Sequence, residues 1–471
     1  MTIEEKFAKL GVDGAPGQEC RQMNEQTVIN SGTESSSVCG AVYDVPRNAT
    51  YYVSCNAACG ATYDVTCDVS CDAVCDAPSN AVCDAPSDAV CDASSDAVCD
   101  ASSDASRDSP VDFSHGDVDA FTPIPGAFDE FTAAVREGGA HAYTEYRGRR
   151  DIREELAVKL SNFTGAQILP DDLILTPGTQ GALFLAMGAC VAHGDKVAIV
   201  EPDYFANRKM TVFLEGTILP VRMNFENASG LAGLDLDALE GAFRSGAKVF
   251  LFSNPNNPVG AIYAKEELQA IASLAMRYGV TVIVDELYAR QVFDGRKFHH
   301  LCAMSERPEN LVTVIGPSKT ESLSGYRIGA AYGTSAIIER MEKLQAIVSL
   351  RCPGYAQGVF RSWFNEPPGW LEERIKLHQN LRDDLLKLLN NAKDIYVRPT
   401  EGGSYMFIRF LKMKIQVTEF IRLLRPLGVT VTHGAEFGPG FSDWIRINFS
   451  QNHAATLNAI RLILNLCERH R

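Results

Sequence analysis

The chain has no run of eighteen apolar residues, the length a bilayer crossing needs. Its longest apolar stretch, ALFLAMGACVA at 182–192, falls well short, so no membrane span is expected. It has no excess of basic residues either, with 44 Lys and Arg against 59 Asp and Glu and a net charge of -15. Without a basic stripe it is a poor partner for phosphate backbones or anionic membranes, and nucleic acid is not an expected ligand. The opening residues, MTIEEKFAKLGVDGAPG, lack the basic start and apolar core of a secretory signal, which leads us to expect a cytoplasmic protein. Cysteine is scarce beyond residue 110, where only Cys190, Cys302, Cys352 and Cys467 occur. A disulfide framework is thereby excluded for that part.

What is present divides the chain in two. Residues 1–110 carry 18 Asp and Glu against 5 Lys and Arg, so nearly all of the net charge lies there. The same segment holds ten of the fourteen cysteines, several within an eight-residue repeat that reads CDAPSNAV CDAPSDAV CDASSDAV from Cys75. A tract of Asp, Ser and Ala buries too little apolar surface to offset the entropy of ordering, and disorder is its expected state. Thiolate metal binding is the rival reading. The spacing is too regular and too wide for one closed tetrahedral site, and no histidine interrupts the tract, so no metal is expected.

After Asp108, strand-like and helix-like stretches alternate. The apolar runs LILT (173–176), KVAIV (196–200), KVFLFS (248–253), VTVIVD (280–285) and LVTVIG (311–316) are separated by amphipathic patterns such as AKEELQAIASLAMRYG at 264–279. Continuous Val/Ile runs between helices predict an α/β fold with a mostly parallel sheet covered on both faces. In such sheets ligands collect at the carboxyl ends of the strands.

Those ends carry chemistry. LILT leads into PGTQG, where a helix start would leave the N–H groups of Thr179 and Gln180 free for an anion. KVAIV runs into EPDYF, which presents Tyr204. KVFLFS ends in NPNNPVG, a rigid turn that holds Asn257 as a neutral donor. Asp285 closes the most buried strand, where a carboxylate needs a cationic or donor partner, and Tyr288 follows. LVTVIG is followed by Lys319, a primary amine able to attack an aldehyde, and eight residues later by Arg327, whose planar fork suits a phosphate. Taken singly, each is an ordinary helix start, turn or solvated charge. Together they describe one ligand with a phosphate, a ring nitrogen, a ring hydroxyl and an aldehyde, which is pyridoxal 5'-phosphate.

With SNPNNPVG, VDELY, SKTESLSGYRIG and WIRINFS in this order, the chain from 111 onward resembles the class I/II aminotransferases, the aspartate aminotransferase-like group of PLP fold type I. The resemblance implies a large PLP-binding domain at 151–347 and a smaller α+β domain built from 111–150 and 348–471, behind a disordered segment at 1–110. It implies Lys319 as the lysine that holds the cofactor covalently, Asp285 as partner of the ring nitrogen, and Asn257 and Tyr288 as ligands of the ring oxygen. Tyr204 is implied as the stacking aromatic, with Thr179, Gln180, Ser318 and Arg327 around the phosphate. Arg446 would clamp the substrate carboxylate, and Gly116 would let substrate approach the backbone. Tyr143 would reach the phosphate of a neighbouring subunit, so a homodimer is expected.

Two features depart from the family pattern. Gly316 stands where the family has a serine or threonine that binds the phosphate, which predicts one lost hydrogen bond. Glu145 and Arg147 are expected near the substrate entrance and, with His115, Glu321 and Arg351, suggest specificity for a polar or basic amino acid. The expected reaction transfers an amino group between an L-amino acid and a 2-oxo acid. A PLP-dependent lyase, cyclase or oxidase acting on a polar or arginine-derived amino acid is the alternative. A non-catalytic PLP-sensing regulator is a remoter one.

Overall fold

The computed structural model describes residues 2–5, 110–226 and 230–471, so the Cys/Asp repeat and its expected disorder lie outside the described residues. Strand β1 is Val111–Asp112. The apolar runs become β2 (Leu173–Thr176), β3 (Lys196–Glu201), β5 (Ala247–Ser253), β6 (Thr281–Asp285) and β7 (Leu311–Ile315). Two further strands, β4 (Thr217–Arg222) and β8 (Gly329–Gly333), join them in a seven-stranded sheet ordered β2-β8-β7-β6-β5-β3-β4. Pairing from β7 through β6, β5 and β3 to β4 is parallel, whereas β8 runs antiparallel to both of its neighbours.

Apolar residues run unbroken in these strands because both faces of the sheet are dry. Along β5, Phe250 and Phe252 enter one core while Val249 and Leu251 enter another on the opposite face. Successive side chains of a strand point to opposite faces, so only a doubly covered strand needs every residue apolar. Each of these fully buried side chains stabilises the fold by about 1.5–3 kcal/mol relative to exposure. The two strands that sequence patterning passed over have identifiable reasons. β4 carries Pro220 and lies at the sheet edge, where a missing N–H is tolerated. β8 reads GAAYG because a Cβ at Gly329 would strike the Gly178–Thr179 peptide and one at Gly333 the Leu311 backbone.

A second, four-stranded antiparallel sheet follows in the chain. Its strands are β9 (Ile395–Val397), β10 (Tyr405–Phe410), β12 (Thr432–His433) and β13 (Trp444–Asn448), in the order β12-β13-β10-β9. A separate core lies between this sheet and the helices Trp370–Asn390, Val417–Leu424 and His453–Arg469, and includes Phe113 from just after β1. The short β1 pairs in parallel with β11 (Val429–Thr430), so the early segment 111–113 is stitched to the late one. Residues 352–363 pack instead in the core of the large sheet.

Candidate active site

At the carboxyl ends of β2, β3, β5, β6 and β7 the chain encloses a cavity of about 230 Å³. Ten of the residues singled out from the sequence line it: Thr179, Gln180, Tyr204, Asn257, Asp285, Tyr288, Ser318, Lys319, Arg327 and Arg446. Arg446 comes from β13 of the second sheet, so the cavity opens where the two sheets meet.

Asp285 ends β6 directly beside Ser253 of β5. Its Oδ1 accepts the N–H of Leu287 at 3.0 Å, so it shapes a turn rather than capping a helix. The cavity leaves its carboxyl group partly accessible, yet the protein packed around it strips most of its water. That desolvation pushes its pKa up to about 6, opposed by the Leu287 N–H and reinforced by the charge of Glu286. An acid so placed gains from a cationic N–H donor.

Arg446 is 3% exposed. Its Nη2 donates to the carbonyl of Ser114 at 3.0 Å and to Thr432 Oγ1 at 3.1 Å, and its Nη1 donates to Asn257 Oδ1 at 3.3 Å. Its Nε has no partner, and no carboxylate pairs with it among the described residues. Rings of Tyr405 and Phe437 lie 4.5 and 5.2 Å from the guanidinium carbon. A buried cation held only by neutral groups is a site that a carboxylate completes. Because arginine can only donate, it also fixes Asn257 with its oxygen toward Arg446, and the amide NH₂ remains for the cavity.

Tyr288 donates its hydroxyl to that of Tyr405 at 2.7 Å. Tyr204 Oη donates to Gln180 Oε1 at 3.0 Å, which ties the aromatic wall to the start of helix Gly178–Cys190. That helix has no side-chain cap and no acid in its first turn, so its leading N–H groups are open to an anion. Arg327 lies against the same turn. Gly178 has φ +76, a conformation that favours glycine, and a Cβ there would come within 2.5 Å of Arg327 Nη2 and push the guanidinium from its place. The Nζ of Lys319 makes no hydrogen bond or ion pair among the described residues.

The vacancy at Gly316 has a physical cause. A Cβ there would sit 2.7 Å from Cγ2 of Thr179, so the methyl group of Thr179 fills the space that a serine or threonine at 316 would use. Two other expected residues stand outside the cavity lining. Gly116 stands two residues from the lining residue Ser114, and a Cβ added to it would lie 3.4 Å from Cβ of Ser450. Tyr143 is 80% exposed, with the Arg351 guanidinium 4.8 Å over its ring.

The charge pattern expected near the entrance is corrected by the structure. Arg147 donates to Glu342 at 2.6 Å and Glu145 accepts from Arg153 at 2.6 Å. Glu321 is buried in an ion pair with Arg290 at 2.6 Å, and Arg290 also binds Glu366. None of these lines the cavity, because each charge is already paired by the scaffold.

The profile of the family "Aminotransferase class I and II" matches residues 109–463. Among solved structures, an aspartate aminotransferase from Rhodobacter sphaeroides is 57% identical, covering 77% of this chain and 92% of that one with a TM-score of 0.76. This chain belongs to the class I and II aminotransferases. Curated relatives of this aminotransferase include an aspartate aminotransferase of Sulfurisphaera tokodaii, 28% identical over 66% of this chain and 79% of that protein. An arginine–pyruvate transaminase of Pseudomonas aeruginosa is 26% identical over 71% and 84%.

The aminotransferase cavity also contains residues that sequence reading passed over. Ser114, Ser253, Ser324 and Tyr405 line it. Ser253 stands directly before the NPNNPVG turn and could have been read with it. Tyr405 carried no local signal, because it reaches Tyr288 across 117 residues of chain.

Proposed function

We propose that the cavity binds pyridoxal 5'-phosphate and that the protein is a cytoplasmic, homodimeric transaminase whose amino donor is aspartate. The observation that carries the cofactor reading is the donor set of a single cavity: a primary amine, a desolvated acid and two guanidinium groups, the amine and the guanidinium groups having no acid partner among the described residues. Lys319 would hold the cofactor, Asp285 its ring nitrogen, Asn257 and Tyr288 its ring oxygen, and Tyr204 the ring face. Thr179, Gln180, Ser318 and Arg327 would hold the phosphate, and Arg446 the substrate carboxylate beside Gly116. The proposed domains are 151–347 for the large one and 111–150 with 348–471 for the small one.

When bound, the cofactor supplies an electron sink for the charge left at the amino acid's Cα. Arg446 orients that Cα through the carboxylate. Lys319 Nζ takes the proton from Cα and returns it on the product side, and Asp285 keeps a proton on the ring nitrogen. Asn257 and Tyr288 hold the ring oxygen, Tyr288 itself being steadied by Tyr405.

The aspartate proposal rests on the 57% identity with the Rhodobacter sphaeroides enzyme. A dicarboxylic donor needs a second cation. Arg351 is the proposed one: it lies over Tyr143, its Nε has no partner, and it would enter the neighbouring subunit's site together with that tyrosine. An apolar groove of about 710 Å³, lined by residues such as Val118, Phe131, Tyr326 and Tyr355, supports the dimer. It shares Ser324 with the catalytic cavity, so a second copy seated on it would close over the active site. The test is to mix the purified protein and pyridoxal 5'-phosphate with aspartate, with and without 2-oxoglutarate, and follow glutamate. Glutamate only in the presence of the acceptor is expected. Release of ammonia with keto acid in excess over the cofactor, without the acceptor, would replace the transaminase by a lyase, and sedimentation as a monomer would remove the dimer.

A further inference from the structure

We infer that Asp203 is a positioning residue of the cofactor site, which fixes Ser253 and the backbone of Tyr204 and through them the two groups proposed to touch the ring, Asn257 and Tyr204. The inference rests on the cofactor reading above, but the observations behind it are independent of that reading. Asp203 is 2% exposed and is not part of the cavity lining. No cation pairs with it among the described residues. Instead five neutral donors converge on its carboxylate. Oδ1 accepts from Ser253 Oγ at 2.6 Å, from the Tyr204 N–H at 2.6 Å and from Asn207 Nδ2 at 3.2 Å. Oδ2 accepts from the Ser253 N–H at 2.9 Å and Asn256 Nδ2 at 3.4 Å.

Burying an acid without a cation is costly, and burial does push its pKa up, to about 7, with Asp285 adding to the rise and the Ser253 and Tyr204 donors opposing it. Every neighbour is nevertheless a donor, so the charged, acceptor-only form is the one the surroundings satisfy. What this arrangement achieves is direction. In its charged form Asp203 can only accept, so Ser253 then spends its hydroxyl proton on it. The Ser253 oxygen then turns a lone pair to the N–H of Asn257, which donates to it at 3.1 Å. Asn257 in turn accepts from Arg446. A directed chain therefore runs Asp203, Ser253, Asn257, Arg446, from a residue behind the site to the proposed carboxylate clamp. The bond from the Tyr204 N–H pins the start of helix Phe205–Phe213 and with it the aromatic wall. Asparagine at 203 would turn an NH₂ toward groups that are themselves donors, so a near-isosteric change suffices to break the direction of the chain.

The test compares wild type, Asp203→Asn, Ser253→Ala and the double variant. Three quantities are read: the dissociation constant for pyridoxal 5'-phosphate by fluorescence quenching, KM against kcat for the amino donor, and the melting temperature of the cofactor-free protein. Asp203→Asn is expected to weaken cofactor binding by about ten-fold or more, and Ser253→Ala by about three- to ten-fold, in line with lost hydrogen bonds to a charged group. The double variant should be within about two-fold of Asp203→Asn alone, because both changes cut the same chain. KM for the donor should rise in each single variant through Asn257 and Arg446. A purely structural role would lower the melting temperature and leave the cofactor constant unmoved. Cofactor binding within two-fold of wild type in either single variant, or losses that multiply in the double, would overturn the inference. Should Asp203→Asn not fold, Ser253→Ala decides alone. A wild-type protein that does not bind the cofactor would instead sink the reading on which the inference stands.

Discussion

Lys319 and Glu321 are two residues apart in sequence and end in opposite situations. Glu321 is buried against Arg290, which also binds Glu366 and lies over the ring of Phe364 at 4.2 Å, so its charge is absorbed by the scaffold. Lys319 Nζ faces the cavity with no partner among the described residues, in company with Arg446, a buried cation that no described carboxylate meets. Sequence position cannot distinguish the two cases. Charge pairing can: a charged group already matched by the fold stabilises it, and one left unmatched at a cavity awaits a ligand.

The sharpest break in this comparison is Lys319→Ala. General base catalysis alone is worth about a hundred- to ten-thousand-fold, and the substitution is expected to lose at least that much in kcat together with the visible absorbance of the bound cofactor. Full absorbance in the variant would remove Lys319 from its proposed place.

The two arginines give the next contrast. Arg290→Gln strands the buried carboxylate of Glu321 and the half-buried one of Glu366 and should cost about 3–5 kcal/mol of stability, while KM in the fraction that folds stays unchanged. Arg446→Gln removes a cation that has no acid partner, so the melting temperature should hold, while KM for the amino acid rises by about ten- to a hundred-fold. Measured side by side by thermal unfolding and steady-state kinetics, an exchange of these two phenotypes would invert the assignment.

The acids sharpen the comparison through pH. Burial raises Asp285 to about 6 and Asp203 to about 7, both above their value in the unfolded chain. A raised carboxyl pKa means that the folded protein binds the extra proton, so stability of the cofactor-free protein falls as pH rises from about 4 to 7 and levels off above that window. Each unit of displacement corresponds to about 1.4 kcal/mol, which makes the combined drop several kcal/mol. Asp285→Asn should flatten the lower part of the window. Loading the cofactor should flatten it too, since a protonated ring nitrogen favours the charged acid. A melting curve series with the same slope in all three proteins would remove Asp285 from contact with the ring.

Much of this was legible in the sequence because each signal was local. Five strands were readable from Val/Ile runs, since double burial leaves few polar residues to interrupt them, the buried Thr313 of β7 being one. The helix Lys265–Tyr278 was readable from its period and its glycine stop at Gly279. Seven of the ten site residues follow a strand end by three or four positions and Asp285 closes its strand, whereas Arg446, inside β13, was named only through the family resemblance. What escaped depends on distance in the chain. Tyr405 meets Tyr288, and Asp203 meets Ser253, through pairings that no spacing announces. Glu145, Arg147 and Glu321 were misplaced for the same reason, as their partners Arg153, Glu342 and Arg290 become neighbours only after folding. β8 was missed because glycines forced by close backbone contacts replace the branched residues that mark a strand.

The smallest effect tests Gly316, where the resemblance implies a serine or threonine. Gly316→Ser would restore the usual residue type and, if the site were otherwise ordinary, should tighten phosphate binding. The packing predicts the opposite, because the new Cβ meets Thr179 Cγ2 at 2.7 Å and the Gly329 Cα at 3.2 Å. Overpacking of this kind costs about 1–3 kcal/mol, and it displaces the helix start whose N–H groups face the proposed phosphate. Thr179→Ser deletes the offending methyl and retains the hydroxyl, so the double variant should recover part of both stability and cofactor affinity, the remainder being lost to the Gly329 backbone. Measured as a double-mutant cycle, a favourable coupling between 179 and 316 identifies the methyl group as the reason for the glycine. Independent effects would leave the departure at 316 without this cause and would restore the simpler picture of one phosphate ligand missing.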